Sequence, residues 1–480
     1  DQSRFAAVRP SGALSTPSGL VTGTLTAVLG PDAAADTIAP LLTVSYYDTE
    51  ERVTATAAIS HRGELLTTST AYTRGGLAAT AGTALAGGDA THSVTLTSSY
   101  DRHGRVTATQ LSRDGGQSAT IATNSYNGLG QLRSTAYAGG MERSYSYDMH
   151  GWLTGWFTPY VGQELLYAAG ATPSYSGRVS AKITNNYGHW DRYDYSYDRL
   201  GRLVAAAFSR QMPEGATIEN GDADADFSTA YSYDLQGNML TLTRRGLTAP
   251  HLYGDIDDIT ATYDGNRLSS LRDAAGTVLL ESSLDLPGGS WTGSDFGYDA
   301  NGNLTRDMSR GVADVVYNEL NLPRRVEFAD GGRIDYLYSA AGTKLAETAF
   351  DAGGNRISRR DYAGQFEFAS DTLERVHLPE GFMTEADGAY HAYIADYQGN
   401  IVGVYNTATG YFEQYTDYYP YGLPHASATS PDINRRKYGG KELTTDIGLN
   451  LYDFAVVRMQ FRINDIYLLL GSGGRGRRRS

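Results

Sequence analysis

Cysteine is absent from this 480-residue sequence, and charged residues are few. Without cysteine the chain can form neither disulfides nor thiolate–metal sites. Asp, Glu, Lys and Arg make up 20% of the residues, and the net charge of −14 argues against a nucleic-acid surface, which needs a basic face. No apolar run approaches the roughly 20 residues that a bilayer span requires. We therefore expect no nucleic-acid partner and no membrane span.

Tyrosine and glycine are the abundant residues. The chain has 36 Tyr against 13 Phe and 4 Trp, together with 56 Gly. Tyrosine favours strands, and glycine favours the tight turns that join them. Hydrophobic residues make up 41% of the chain, which is enough to bury a substantial core. This composition favours an all-β fold with many hairpins.

One motif, Tyr-Asp-x-x-Gly followed in most copies by Arg or Asn and then by Leu, Val or Met, recurs along most of the chain. Full copies supply the candidate structural turn residues, which are Tyr100, Asp101 and Gly104; Tyr147, Asp148 and Gly151; Tyr197, Asp198 and Gly201; Tyr233, Asp234 and Gly237; and Tyr298, Asp299 and Gly302. Degenerate copies begin at Tyr126, Tyr263, Tyr317 and Tyr338. A motif repeated this often indicates a repeat architecture.

The motif predicts a β-hairpin. Asp at the first position and Gly at the fourth are preferred in a type I turn, and the Asp side chain can accept a hydrogen bond from the backbone two residues on. Gly can take the positive φ that closes the hairpin. Tyr before the turn and Leu after it then form a cross-strand pair. The alternation Tyr145-Ser146-Tyr147 has the period of two typical of a half-buried strand.

Hairpins placed side by side protect each other's edges and bury a continuous face, and their accumulated twist makes the sheet coil. We therefore expect a spiralling array of hairpins that forms a hollow shell or part of one. The alternative is an ordinary multi-domain β-sandwich chain, which does not repeat one turn motif so often.

These residues resemble the YD repeat of the RHS family, and the chain is most similar to RHS proteins of Bacteroidetes type. The resemblance covers about residues 44–454. Further segments that resemble the family's wording are Tyr147 to Thr154, Tyr298 to Asp307, Tyr317 to Pro323, Asp361 to Phe366, His377 to Gly381, Ala395 to Asn400, Asp417 to Gly422, and Lys437 to Phe454.

The resemblance implies a hollow β-shell that is plugged by an RHS-associated core and that delivers a C-terminal toxin domain. It divides the chain into an N-terminal extension (1–43), a YD-repeat shell (44–345), a core-like region (346–454) and a divergent tail (455–480). The partner that it implies is a C-terminal toxin or effector, and the location is secreted or at the cell surface. Asp1 is compatible with a removed signal peptide or with a fragment.

The tail departs from the family pattern. The family continues after Phe454 with a segment that ends in DPxG motifs, whose two Asp residues cut the core in many members. No DPxG occurs in this chain, and Asp465 is the only acidic residue after Asp453. We expect a chain truncated or frameshifted after the core, with no self-cleavage and with disorder from about Leu470 onward.

Candidate chemistry outside the repeat is weak. Gly471, Gly473 and Gly476 have the spacing of a dinucleotide fingerprint, but only four residues follow, too few for the helix that would bind a pyrophosphate. Asp222, Asp224 and Asp226 alternate, yet the calcium-loop pattern fails at Phe227. The nine His residues show no paired metal-ligand spacing. We predict no catalytic residue, no cofactor and no metal.

Three functions remain open. The first is a non-enzymatic shell that encapsulates or delivers an effector. The second is a surface module that binds carbohydrate or another cell, because Tyr offers flat apolar faces with a polar tip. The third is a glycoside-acting enzyme, which would need two carboxylates at a defined separation. Inward-facing tyrosines would favour the first function, an exposed aromatic row the second, and a pocketed carboxylate pair the third.

Overall fold

The structure is a computed structural model that describes residues 5, 8–15, 17–30, 39–87, 90–211, 225–275, 286, 288–425, 433–449 and 451–453. Strands make up 57% of the described residues, and helical geometry among them is confined to short turns such as the 3₁₀ segment Met308–Arg310. No helix in the described ranges is both long and apolar enough to cross a bilayer. The all-β prediction is confirmed.

The first sheet has 20 strands. β1 pairs with β3, and from β3 onward each strand pairs antiparallel with the next one in the chain. Its strands are β1 (Gly23–Thr26), β3 (Leu41–Tyr47), β4 (Val53–Ile59), β5 (Leu65–Tyr72), β6 (Ala78–Gly87), β7 (Ala90–Tyr100), β8 (Val106–Arg113), β9 (Ala119–Tyr126), β10 (Leu132–Tyr137), β11 (Glu142–Tyr147), β12 (Leu153–Phe157), β13 (Val161–Leu166), β14 (Ala181–Asn186), β15 (His189–Tyr197), β16 (Leu203–Gln211), β17 (Thr229–Tyr233), β18 (Met239–Ala249), β19 (Leu252–Asp264), β20 (Arg267–Asp273) and β21 (Gly289–Trp291).

The second sheet has 14 strands, and β2 joins it by pairing with β26. Its strands are β2 (Val28–Leu29), β22 (Phe296–Tyr298), β23 (Leu304–Asp307), β24 (Val312–Tyr317), β25 (Pro323–Phe328), β26 (Arg333–Ser339), β27 (Lys344–Phe350), β28 (Arg356–Ala363), β29 (Phe366–Ala369), β30 (Thr372–Leu378), β31 (Gly381–Thr384), β32 (Tyr390–Ala395), β33 (Ile401–Asn406) and β34 (Tyr411–Tyr415). β35 (Glu442–Thr444) and β36 (Leu451–Asp453) form a separate pair. The change of sheet between β21 and β22 falls inside the range that the sequence assigns to the repeat shell.

The repeat turns have the geometry that their sequence indicates. The Gly104 N–H donates to the Asp101 carbonyl (3.1 Å), and the Asp101 N–H donates to the Arg105 carbonyl (3.0 Å). The Asp101 carboxylate also accepts from the N–H groups of His103 and Arg105. Gly104 has a φ of 78°, and Tyr100 pairs with Val106 across a register shift. This is a three-residue hairpin loop that ends in a glycine bulge.

The other full copies repeat this loop. Their glycines have φ values of 81° at Gly151, 84° at Gly201, 91° at Gly237 and 84° at Gly302. The copy at Tyr263 differs, because Asp264 pairs directly with Arg267 and leaves a two-residue turn.

The same loop also closes hairpins that lack the full motif. They include the loops that begin at Asp48, Ser60, Thr73, Asn127, Asn318, Ser339, Asp351 and Asp396.

The repeat tyrosines connect each hairpin to the one before it. The Tyr233 hydroxyl donates to the Leu203 carbonyl at 2.7 Å, and Arg202 lies over the Tyr233 ring at 4.8 Å. The same hydroxyl-to-carbonyl bond joins Tyr72 to Val53, Tyr100 to Ala78, Tyr126 to Val106, Tyr147 to Leu132, Tyr167 to Leu153, Tyr197 to Val179, Tyr263 to Met239, Tyr298 to Leu268 and Tyr317 to Leu304. The polar tips of these side chains are therefore bonded to the backbone of a neighbouring hairpin, and the Tyr298 bond crosses from the second sheet to the first.

One of the large apolar clusters lies where the two sheets face each other. Leu111 and Trp156 of the first sheet share one buried cluster with Phe366, Met383 and Tyr405 of the second. Sheet residues alternate between buried and exposed, as β19 shows with buried Ile259 and Ala261 around an exposed Thr260. Burial of one face is what the period-two pattern predicts.

Substituting valine for a repeat glycine is expected to destabilise the fold. Gly302→Val forces a β-branched residue to a φ of 84° and should lower the free energy of unfolding by about 1–3 kcal/mol. Gly201→Val should cost a similar amount and should also displace Arg178, whose guanidinium lies 2.5 Å from the position of an added Cβ. Urea denaturation measures both. Gly128→Val is the control, because Gly128 has no positive φ and no atom within 4 Å of an added Cβ. Equal stability of all three variants and the parent would contradict the turn assignment.

Candidate functional site at the contact between the sheets

Buried polar groups join the two sheets at the turn that follows β4. Asp361 of β28 is fully buried, and its carboxylate lies 2.9 Å from His61 Nε2 of the first sheet. Arg359 donates two hydrogen bonds of 2.7 Å to the same carboxylate. Arg62 lies 3.9 Å above the Phe368 ring. Burial alone would raise the pKa of Asp361, but the hydrogen bonds from His61 and Arg359 hold it well below its ordinary value.

Further contacts follow this junction between the sheets. Arg113 of β8 forms an ion pair of 2.5 Å with Glu385. The Arg143 guanidinium of β11 donates to the carbonyl of Ala395. An added Cβ at Gly139 would lie 2.6 Å from the Thr407 carbonyl oxygen, so the backbones approach closely there. Charged and backbone groups thus hold β8 and β11 against the second sheet.

Residues 415–425 leave the second sheet and pack on the first. Tyr419 and Leu423 are almost fully buried in one cluster with side chains of the first sheet. The Tyr419 hydroxyl donates to the Arg245 carbonyl at 2.9 Å. His425 stacks on Phe227 with ring centroids 4.2 Å apart and lies 3.1 Å from the Tyr193 hydroxyl. Burial lowers the pKa of His425 well below its ordinary value, so the ring is neutral.

Asp417 is the carboxyl group in this segment with a raised pKa. Burial raises the pKa of Asp417 to about 6, and the negative charge of Asp191 adds to the effect. The Tyr415 hydroxyl donates to Asp417 at 2.8 Å. Asp191 itself makes two hydrogen bonds, of 2.7 and 2.9 Å, with Arg210. Because Arg210 neutralises Asp191, these two carboxyls do not share a proton as an acid–base dyad does.

Asp417→Asn is expected to stabilise the protein above pH 6. The folded pKa of about 6 exceeds the unfolded value of about 4, so ionisation of Asp417 costs folding free energy as the pH rises from 4 to 6. Asn keeps the acceptor for Tyr415 and cannot ionise. The variant should gain about 2 kcal/mol at pH 7.5 and nothing at pH 4 in urea denaturation.

Asp198→Asn provides the comparison of opposite sign. Burial opposes ionisation of Asp198, but hydrogen bonds from Arg202 lower the pKa of its carboxyl group. The ionised carboxylate therefore stabilises the fold at neutral pH. The Asp198 variant should be less stable than the parent at pH 7.5. A destabilised Asp417→Asn at that pH would contradict the burial argument.

Buried ion pairs hold residues 433–449 in place. Glu442 accepts from Lys344 (3.1 Å) and from the Tyr362 hydroxyl (2.6 Å). Arg435 lies 3.4 Å from Glu442 and 3.2 Å from Glu347. Burial opposes ionisation, but Lys344 and Arg435 lower the pKa of Glu442 to about 2. These contacts fix Arg435 and Glu442 to β27 and β28.

The sequence-predicted turn residues lie at hairpin ends and not in a common pocket. Burial opposes ionisation of Asp101, but the hydrogen bonds from Arg105 lower the pKa of its carboxyl group to about 2. This carboxylate therefore accepts hydrogen bonds within its own turn. Asp226 forms an ion pair of 2.6 Å with Arg245. Asp222, Asp224 and the tail with Gly471, Gly473 and Gly476 lie outside the described residues, as does Asp465.

Sequence reasoning missed the groups that tertiary contact brings together. Asp387, His391 and Glu413 place their ligand atoms within 4.8 Å of one another. Asp361 and His61 are 300 residues apart in the chain. No spacing rule could have grouped them, because strand register and the packing of the two sheets make them neighbours.

No family model matches the chain, and no curated protein matches it. Solved structures match its fold. The crystal structure TcdB2–TccC3–Cdc42 is 14% identical, covers 92% of this chain and 27% of that chain, and has a TM-score of 0.51. The Photorhabdus luminescens Tc holotoxin pore is 15% identical, covers 92% and 23%, and has a TM-score of 0.56. The shared fold is the large antiparallel β-sheet shell, and this chain spans about a quarter of the length of those chains.

Proposed function

We propose that this chain is a non-enzymatic shell segment of an RHS-type toxin-delivery system. Its fold is that of Tc toxin structures, and the sequence resembles the YD repeats and core of the RHS family. Residues 44–345 then form the shell wall and residues 346–454 the core-like region. The implied partner is a toxin or effector domain C-terminal to the core, and the implied location is secreted or at the cell surface.

The observation that carries the proposal is that the repeat tyrosines link neighbouring hairpins. The hydroxyl of each repeat tyrosine from Tyr100 to Tyr317 is bonded to the backbone of the preceding hairpin, and these rings are half-buried between neighbouring hairpins, as for Tyr233 and Leu203. A continuous wall needs such links, whereas a carbohydrate-binding surface needs an exposed aromatic row. Exposed tyrosines such as Tyr175 and Tyr411 are not members of this repeat series. This arrangement favours the shell over the carbohydrate-binding module.

The direct test of this function is whether the chain protects a fused cargo from protease. A small reporter enzyme fused after Ser480 should resist trypsin at least about tenfold longer than the same reporter fused before Asp1. Encapsulation depends on position, whereas a general stabilising effect of fusion would protect both. Equal digestion of the two reporters would argue against encapsulation by this chain.

The purified chain is also expected to remain one species of 51.8 kDa. Family self-cleavage depends on two Asp residues beyond the core, and this sequence has only Asp465 after Asp453. Mass spectrometry after prolonged incubation with protease inhibitors measures the outcome. A defined internal cut that disappears on substitution of a single Asp would reveal a catalytic pair and overturn the non-enzymatic assignment.

A further inference from the structure

Three potential metal ligands meet beside β32, far from the repeat turns in sequence. Asp387 lies in the turn before β32, His391 on β32 and Glu413 on β34. The His391 side chain is only 4% exposed, whereas the two carboxylates reach the surface. β32 and β34 both pair with β33, on opposite sides, so strand register sets the spacing of these groups.

Each carboxylate is held mainly through one oxygen, and its other oxygen faces the histidine; Asn406 Nδ2 also donates a long hydrogen bond of 3.4 Å to Asp387 Oδ2. Asp387 Oδ1 accepts from the Thr384 hydroxyl and from the Ala389 N–H. Glu413 Oε1 accepts from Asn406 Nδ2 at 2.7 Å. The second oxygens, Asp387 Oδ2 and Glu413 Oε2, face His391. Support of this kind from neighbouring groups is typical of metal ligands.

The two nitrogens of His391 are in different situations. The ring stacks on Phe382 with centroids 4.8 Å apart, which fixes its plane. Nε2 is within hydrogen-bonding distance of Asp387 Oδ2, at 3.2 Å. Nδ1 lies 2.8 Å from Glu413 Oε2, yet it is buried and makes no hydrogen bond. If Nε2–H donates to Asp387, then Nδ1 carries a bare lone pair.

A bare nitrogen and a carboxylate oxygen repel each other at this distance unless a cation neutralises them. The contact has the distance of an ion pair but not the alignment of a hydrogen bond. Two neighbouring ligands of one tetrahedral metal ion, each about 2.1 Å from it, lie roughly 3.4 Å apart. Nδ1 and Oε2 would therefore have to separate by only about half an ångström to bind one ion, and the partly exposed Glu413 side chain has room for that movement.

We propose that His391 Nδ1 and Glu413 Oε2 bind a divalent transition metal of the Zn²⁺ class, with Asp387 holding the histidine through Nε2. An imidazole nitrogen selects this class, because Ca²⁺ and Mg²⁺ prefer oxygen-only sites. The bound ion links β32 to β34 across β33, and Asp387 connects the histidine to the turn before β32.

The test is isothermal titration of the full-length chain, stripped with chelator, with ZnCl₂ at pH 7.5. We expect one equivalent of Zn²⁺ to bind, with no comparable binding of Ca²⁺ or Mg²⁺. Glu413→Gln keeps the acceptor for Asn406 and should weaken Zn²⁺ binding at least about tenfold. Glu385→Gln is the matched control, since it removes a neighbouring carboxylate outside the cluster and should leave the affinity unchanged. Circular dichroism establishes that both variants fold.

Either of two results overturns the proposal. No saturable Zn²⁺ binding to the parent would mean that the cluster is an ion pair of His391 with its carboxylates. Equal affinity of Glu413→Gln and the parent would place the bound metal elsewhere. Substitution of Co²⁺ gives an independent readout, because the intensity of its visible d–d absorption depends on its coordination, which Glu413→Gln should change.

Discussion

Asp361→Asn is expected to lower the free energy of unfolding by about 3 kcal/mol, because breaking a buried ion pair leaves its partners uncompensated. The carboxylate is fully buried and bonded both to His61 of the first sheet and to Arg359 of its own strand. Asn keeps the shape of the side chain and removes its charge. Urea denaturation at pH 7 measures the loss. The loss should shrink as the pH falls below about 4, because Asp361 of the parent then becomes protonated in the unfolded state and its charge stabilises the fold less.

Asp194→Asn is the matched control for this substitution. Arg192 and Asp194 have the same two-residue spacing on β15 and the same pair of 2.7 Å hydrogen bonds. Both side chains are partly exposed, and their pair lies within the first sheet. An exposed pair contributes about 1 kcal/mol or less. Similar losses for Asp194→Asn and Asp361→Asn would show that the junction between the sheets adds nothing to the ion pair.

Gly422→Ala is expected to lower the free energy of unfolding by about 3–5 kcal/mol. This is the largest effect that we predict for the addition of one methyl group. Gly422 has a φ of 95°, and an added Cβ would lie 2.5 Å from the Tyr438 ring. The Tyr452 hydroxyl also donates to the Gly422 carbonyl. The methyl group therefore meets both backbone strain and a steric clash where two later segments pack on this turn.

Gly237→Ala separates these two contributions. Its φ of 91° is nearly the same, but no atom lies within 4 Å of an added Cβ. The control should cost about 1–2 kcal/mol, from backbone strain alone. Thermal and urea unfolding of both variants give the difference, which measures the clash with Tyr438. If Gly422→Ala were no worse than Gly237→Ala, the packing of Tyr438 against this turn would be wrong.

Local chemistry made the turns predictable. An Asp followed three residues later by Gly supplies both the side-chain acceptor and the positive φ that the hairpin loop needs, and Gly104 and Gly302 have that conformation. The same loop at Asp48 escaped sequence reasoning because Glu51 takes the glycine position at a φ of 65°. A motif defined by glycine cannot find a turn closed by another residue.

The repeat tyrosines were predictable in one contact and not in the other. The pairing of Tyr233 with Met239 follows from the two strands of one hairpin. The bond from the Tyr233 hydroxyl to the Leu203 carbonyl crosses to the preceding hairpin. Sequence spacing does not set that second contact, because 30 residues separate the partners there and 13 separate Tyr317 from Leu304.

The sequence by itself determined the all-β class, the hairpin turns and the half-buried strands, because each depends on residues within about ten positions of one another. Tertiary structure alone decided that Asp361 meets His61, that Asp417 becomes buried, and that Asp387 and Glu413 flank His391. These contacts join different strands or different sheets, and their distances depend on register and on how the two sheets pack. A buried carboxylate changes its pKa only once that packing has removed water from it, which no local pattern encodes.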